Sequence, residues 1–187
     1  MLTPLMLCAL LTCRMAVGFV FAFAVVGKAK NLHAFRDSVQ QLTGLRPRQA
    51  ALVAPAVMVG EALVAASMVI GSRSAGLGFG SALLLLGAFT AVLALALRRE
   101  RQVSCACFGG RRRAVSRLDL IRNLGVGVPA IAGLVLLVHG MPAGLPDGPN
   151  LVSTVGITGV YLAVVLNLGD VVTIVRPARA QRTGGVS

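Results

Sequence analysis

The sequence predicts an all-α membrane protein, a four-helix transmembrane bundle with a fifth transmembrane helix and a short amphipathic helix after the first span. Three observations carry that expectation. The 187 residues are 56% hydrophobic, with a mean hydropathy of +0.84, and only 13% are charged, a balance found in membrane proteins rather than soluble domains. The apolar residues collect in five runs long enough to form helices of roughly 20 residues, the length that crosses about 30 Å of hydrocarbon. The basic residues, 18 against 6 acidic ones, gather between those runs. The net charge of +12 therefore points to the lipid bilayer as partner and not to nucleic acid.

The first span covers residues 5–27. No basic residue precedes it and Arg14 interrupts the apolar run, so it reads as a retained helix and not as a secretory leader. Thr12 before Cys13 likewise makes "LLTC" a poor lipoprotein cleavage context. Residues 28–49 follow with Leu32, Phe35, Val39 and Leu42 at helical spacing and Arg36, Asp37, Gln40 and Gln41 elsewhere. This pattern predicts an amphipathic helix at the membrane surface, ended by Gly44, with Pro47 opening the next helix. The second and third spans take residues 50–70, bent or begun by Pro55, and 77–97. A polar loop leads to the fourth span, 117–138, which contains Pro129. Together residues 1–138 make the four-helix core. Residues 139–151, rich in Pro and Gly, read as a loop, residues 152–175 as the fifth transmembrane helix, and residues 176–187 as a basic tail.

Basic residues at the ends of spans set orientation. Lys28, Lys30, Arg36, Arg46 and Arg48 lie in the first connection. Arg98, Arg99, Arg101, Arg111, Arg112, Arg113, Arg117 and Arg122 lie in or beside the third, and Arg176, Arg179 and Arg182 lie in the tail. The opposite side has Arg73 alone. This places the N-terminus outside and the C-terminus and the third connection in the cytosol, in a multi-pass protein of the plasma or inner membrane.

Charges inside a span are costly and find partners or line functional cavities. Measured from the cytosolic ends of their spans, Arg14 and Glu61 lie about 20 and 17 Å deep, which predicts a salt bridge between the first two spans. The same rise places Arg122 and Asp170 about 8 Å inside the fourth and fifth spans, a second candidate pair with Asn123 and Asn167 nearby. Such pairs commonly serve packing alone.

The third connection holds the most informative stretch, "VSCACFGGRRR", with Cys105 and Cys107 one residue apart. Arg111, Arg112 and Arg113 flank the thiols, and Ser116 with Asp119 fits a capping box at the next helix, so both influences that favour thiolate are at hand. A disulfide across Cys-x-Cys closes a small strained ring and is easily reduced. Two other readings stand beside a redox pair. The arginines serve as topology signals and the cysteines as ordinary cytosolic thiols in one; in the other, two thiolates hold Cu(I) or Zn. Metal binding lacks further ligands, because His33 and His139 fall on opposite sides, and no metal is assigned. Cys8 and Cys13, five apart on a helix, point roughly 140° from each other and do not bridge. The chain offers no nucleotide loop and no hydrolytic triad, and no cofactor is assigned from it.

"SCACFGG", from Ser104 to Gly110, resembles the Cys-x-Cys-Phe-Gly signature of the MauE-like methylamine-utilisation membrane proteins, which are related to the DoxX-like four-helix bundles. Arg14, the "GKAKNLHAF" segment with Gly27 and Lys28, Pro55 with Glu61, and "DLIRNLG" with Arg122 and Asn123 extend the resemblance from residue 14 to about 138. It implies a DoxX-like bundle linked to thiol-disulfide chemistry and to maturation of the disulfide-rich subunit of methylamine dehydrogenase. A thioredoxin-like protein or a disulfide-containing client is the implied partner. By position, Cys105 and Cys107 are the redox pair, with Phe108 and Gly109 shaping the turn. The arginine run and the fifth span depart from the family pattern, and a cytosolic pair sits awkwardly with an exported client. Two alternatives come from other classes: a non-enzymatic assembly scaffold that docks through Arg111 to Arg113, and a small-molecule or metal transporter lined by Arg14 and Glu61.

Overall fold

The structure is a computed structural model and describes residues 2–70, 72–98, 104–105, 113–114, 117–140 and 148–167. It contains six helices, α1 (Leu2–Lys30), α2 (Leu32–Thr43), α3 (Pro47–Ile70), α4 (Ser72–Arg98), α5 (Arg117–Val138) and α6 (Gly148–Leu166). The two-residue strands β1 (Ser104–Cys105) and β2 (Arg113–Ala114) lie between α4 and α5. Four helices, α1, α3, α4 and α5, are long and apolar enough to cross a membrane. The chain is a multi-pass, all-α membrane protein in contact with the bilayer.

These four form a ring in which α1 packs on α3, α3 on α4, α4 on α5 and α5 back on α1. Successive crossings of the membrane make ring neighbours antiparallel. One end of the bundle therefore gathers the C-terminus of α1, all of α2, the start of α3, the end of α4, the β1–β2 pair and the start of α5. It also carries most of the described basic residues and is called the basic end below. The remaining element, α6, packs mainly on α1 and closes the seam beside α5. Its described length is shorter than that of the four spans, and the sequence-predicted fifth span runs on to residue 175, outside the described residues.

Small residues let the helices approach. At Gly133 of α5 an added Cβ would come within 2.2 Å of the Phe79 ring of α4, and at Gly78 within 2.0 Å of Ser67 Oγ on α3. Phe79, Val17, Val64 and Val126 sit in the resulting core, from which water and lipid are excluded.

Helix ends follow local chemistry. The Asn31 side chain accepts from the Ala34 backbone N–H at 3.3 Å and caps α2. Gly44, with φ 74°, ends that helix in a left-handed turn and donates its N–H to the Gln40 carbonyl at 2.8 Å. Phe35 and Val39 turn the apolar face of α2 onto Ala50 and Ala54 of α3. Pro47 opens α3, where its missing N–H costs nothing. Pro55 and Pro129 lie within α3 and α5. A proline leaves the carbonyl four residues earlier without its helical donor. For Pro129 that carbonyl belongs to Gly125, and Tyr161 of α6 donates its Oη–H to it at 2.8 Å. The side chain that docks α6 thus satisfies the defect that the proline creates.

Candidate functional site

The charged residues of the spans come together differently from the sequence expectation. Glu61 pairs with Lys28 of α1, not with Arg14. Arg14 instead donates from Nε at 3.0 Å and Nη2 at 2.6 Å to the backbone carbonyl of Met68. The reason is the direction in which helical side chains lean. Each Cα–Cβ bond tilts toward its own helix N-terminus. On antiparallel α1 and α3, Lys28 therefore leans into the bundle and Glu61 leans down toward the basic end, so the two heads meet. Arg14 leans away, toward the last turn of α3, whose carbonyls have no helical donor. There its positive charge also complements the negative end of the α3 dipole.

The same geometry recurs at the basic end. Arg122 of α5 donates to the carbonyl of Leu166 in the last turn of α6. Asp170, its partner in the sequence expectation, lies outside the described residues. Asn123 uses both amide protons, one to the Leu86 carbonyl at 2.9 Å and one to Thr90 Oγ1 at 2.6 Å, and so ties α5 to α4. These bonds hold the bundle together.

Lys28 is the buried charge that sequence reasoning placed in a connection, and it is only 2% exposed. Its ammonium lies 5.0 Å from the centre of the Phe35 ring and 5.6 Å from that of Phe89, within cation–π range of both. The signal was present in the sequence, since an apolar helix running unbroken to Lys30 keeps residue 28 inside it. Glu61 Oε1 receives the Lys28 ammonium, whereas Oε2 is buried with no hydrogen-bond partner among the described residues. This pair forms one wall of a cavity of about 230 Å³, roofed by α2 and otherwise bounded by α1, α3, α4 and α5.

The second candidate lies at the same end. β1 and β2 pair antiparallel, with Ser104 opposite Ala114 and Cys105 opposite Arg113. This register makes an arginine the cross-strand neighbour of the first thiol-bearing residue; residues 106–112 lie between the two strands in sequence. Cys107, Phe108, Gly109, Arg111 and Arg112 lie in that segment, outside the described residues. Their sequence-based roles are taken up below as proposals. β1 approaches α2, the helix that roofs the cavity. Cys8 and Cys13 are free thiols on α1, Cys13 buried and Cys8 partly so. Among the described residues no three His, Cys, Asp or Glu side chains gather where a metal ion could be held.

Compared with known proteins, the chain matches the family model described as methylamine utilisation protein MauE over residues 6–137. The match takes in α1 through nearly all of α5, including the two strands and the Lys28–Glu61 pair, and ends before α6. No curated protein and no solved structure matches the chain.

Proposed function

This chain belongs to the MauE family of methylamine utilisation proteins, and from that premise we propose that it is an integral membrane thiol-disulfide redox or maturation factor. Cys105 and Cys107 are its working pair. One thiolate attacks a partner disulfide to give a mixed disulfide, and the other displaces the partner. The partner leaves as a dithiol, while Cys105 and Cys107 become a disulfide. The reverse sequence oxidises a partner dithiol. A thioredoxin-like protein or a disulfide-containing client is the partner class.

The observation that carries this reading is the Cys-x-Cys motif that begins in β1, with Arg113 of β2 in register with Cys105. Cations near a thiol favour its thiolate, which is the attacking species. The four-helix bundle supplies a rigid base for the strand pair. The basic residues gathered at this end support a cytosolic position for it, with the N-terminus outside.

Thiol labelling in intact cells tests both chemistry and side. Variants retaining only Cys105 and Cys107 are treated with a membrane-impermeant maleimide, before and after reduction. Labelling that requires permeabilisation and rises after reduction is expected. Labelling from outside would invert the orientation. Replacing either cysteine by serine is expected to abolish client disulfide maturation while leaving membrane insertion intact, and unchanged maturation in both variants would sink the redox reading.

A further inference from the structure

The cavity beneath α2 has features that the thiol chemistry does not use. Its walls are almost wholly apolar, with Val20, Val57, Leu85 and Val126 among them, and the Phe35 and Phe89 rings stand near its charged edge. At that edge the hydrogen-bonding capacity is nearly all committed. Lys28 is paired with Glu61 and held between the two rings. Asn123 has given both amide protons to α4. Arg122, also in the wall, donates to the Leu166 carbonyl. Glu61 Oε2 is an acceptor without such a partner. The side chain that carries it is only 9% exposed, yet this oxygen has no donor among the described residues.

A buried carboxylate oxygen without a donor costs on the order of 1 to 3 kcal/mol or more. Water is poorly suited to fill the cavity, because a buried water needs two to four polar partners and apolar cavities stay dry. A ligand that fits must bring one O–H or N–H donor to Glu61 Oε2. A neutral ligand suits the site, since Glu61 is paired with Lys28, Asp119 lies close enough to act on the Arg122 charge, and the apolar remainder of the wall solvates a further charge poorly. Its body must be apolar, and a flat ring suits the Phe35 and Phe89 faces.

We propose that this cavity is a binding site for a neutral, lipid-soluble ring that carries a hydroxyl group, a molecule of the phenol class, whose O–H donates to Glu61 Oε2. Lys28 holds Oε1 and leaves Oε2 as the open acceptor, Phe35 and Phe89 flank the ring, and α2 covers it. The site is independent of the thiol reading and stands whether or not Cys105 and Cys107 are redox-active.

The test uses the full chain in lipid nanodiscs and two probes of nearly equal shape, para-propylphenol and its methyl ether. Ligand-observed NMR and thermal shift report binding. The phenol is expected to bind saturably and at least about tenfold more tightly than the ether, which cannot donate to the carboxylate. Ala24→Leu, which fills the cavity from α1 and leaves Lys28 and Glu61 in place, is expected to remove saturable phenol binding while leaving helicity and membrane partitioning unchanged. Equal binding of the two probes, or no saturable binding of either to the unmodified chain, overturns the proposal without reference to any variant. Phenol binding that persists in a folded Ala24→Leu protein moves the ligand elsewhere and overturns it as well.

Discussion

Replacing Lys28 by methionine keeps the length and volume of the side chain but removes its charge, and this perturbation should be among the most damaging in the bundle. Both partners of the Lys28–Glu61 pair are almost fully buried. Removing one member of such a pair leaves an uncompensated charge and costs about 3 to 5 kcal/mol. For Lys28→Met the full amount applies, because Glu61 Oε2 already lacks a partner and Oε1 would then lose its own. For Glu61→Met the ammonium keeps the faces of Phe35 and Phe89, worth about 0.5 to 2 kcal/mol, so the cost falls to about 2 to 4 kcal/mol. The double variant replaces an ion pair with two apolar side chains and should come within about 1 kcal/mol of the parent. Unfolding in mixed micelles, followed by far-UV circular dichroism and by modification of the buried Cys13 thiol with the other cysteines replaced, yields the cycle. A coupling of at least about 3 kcal/mol is expected. Additive single effects would refute the pairing, and a coupling of Glu61 to Arg14 in place of Lys28 would restore the depth-based expectation.

Other positions give sharper local tests. Gly133→Ala sets a methyl group against the Phe79 ring and should lower stability by about 1 to 3 kcal/mol. Adding Phe79→Leu should recover part of that loss in the same unfolding assay. Asn123→Leu removes two hydrogen bonds to α4, and its cost should lie between about 0.6 and 1.7 kcal/mol, as for interhelical bonds in membranes; a Thr90→Val cycle assigns the share carried by Thr90. Arg14→Met uncaps the end of α3 and should cost about 1 to 2 kcal/mol. Hydrogen exchange should rise in the last turn of α3, while the Lys28–Glu61 coupling stays unchanged.

The bundle was legible in the sequence because hydrocarbon thickness fixes helix length and a membrane helix must satisfy its backbone internally. The end of α2 and its apolar face were also legible, in Gly44 and in the spacing of Phe35 and Val39, but not its start: residues 28–30 belong to α1, and α2 begins only at Leu32. Partner choice among the intramembrane charges was not. Depth along a helix axis places Cα atoms, but a long side chain ends several ångströms away in a direction set by its helix's polarity. Arg14 and Glu61 lean apart, whereas Lys28 and Glu61 lean together, although their Cα atoms lie at different depths. Backbone carbonyls also compete for arginines, and no residue letter reveals that the last turn of α3 is open to Arg14. The Gly125 carbonyl could have been found, since Pro129 four residues later announces it, but that Tyr161 would reach it depends on how α6 packs. The Cys-x-Cys stretch was legible as a motif only, and the cross-strand register of Cys105 comes from the structure.

The placement of α6 makes the perimeter of the bundle unequal. Flanked by α3, α5 and α6, α1 becomes a central post, although it begins the chain and by sequence looks like any other span. The family match ends before α6, so the helix that covers part of α1 lies outside the matched residues. A transmembrane segment of another protein that approaches from within the bilayer finds α1 only partly covered, with Phe19, Phe23 and Val26 still exposed. The outward faces of α3 and α4, with Leu52, Leu63, Leu77 and Leu84 exposed, remain open to it. Lateral access to this protein is therefore unequal around its perimeter, and α6 narrows it along one strip of α1.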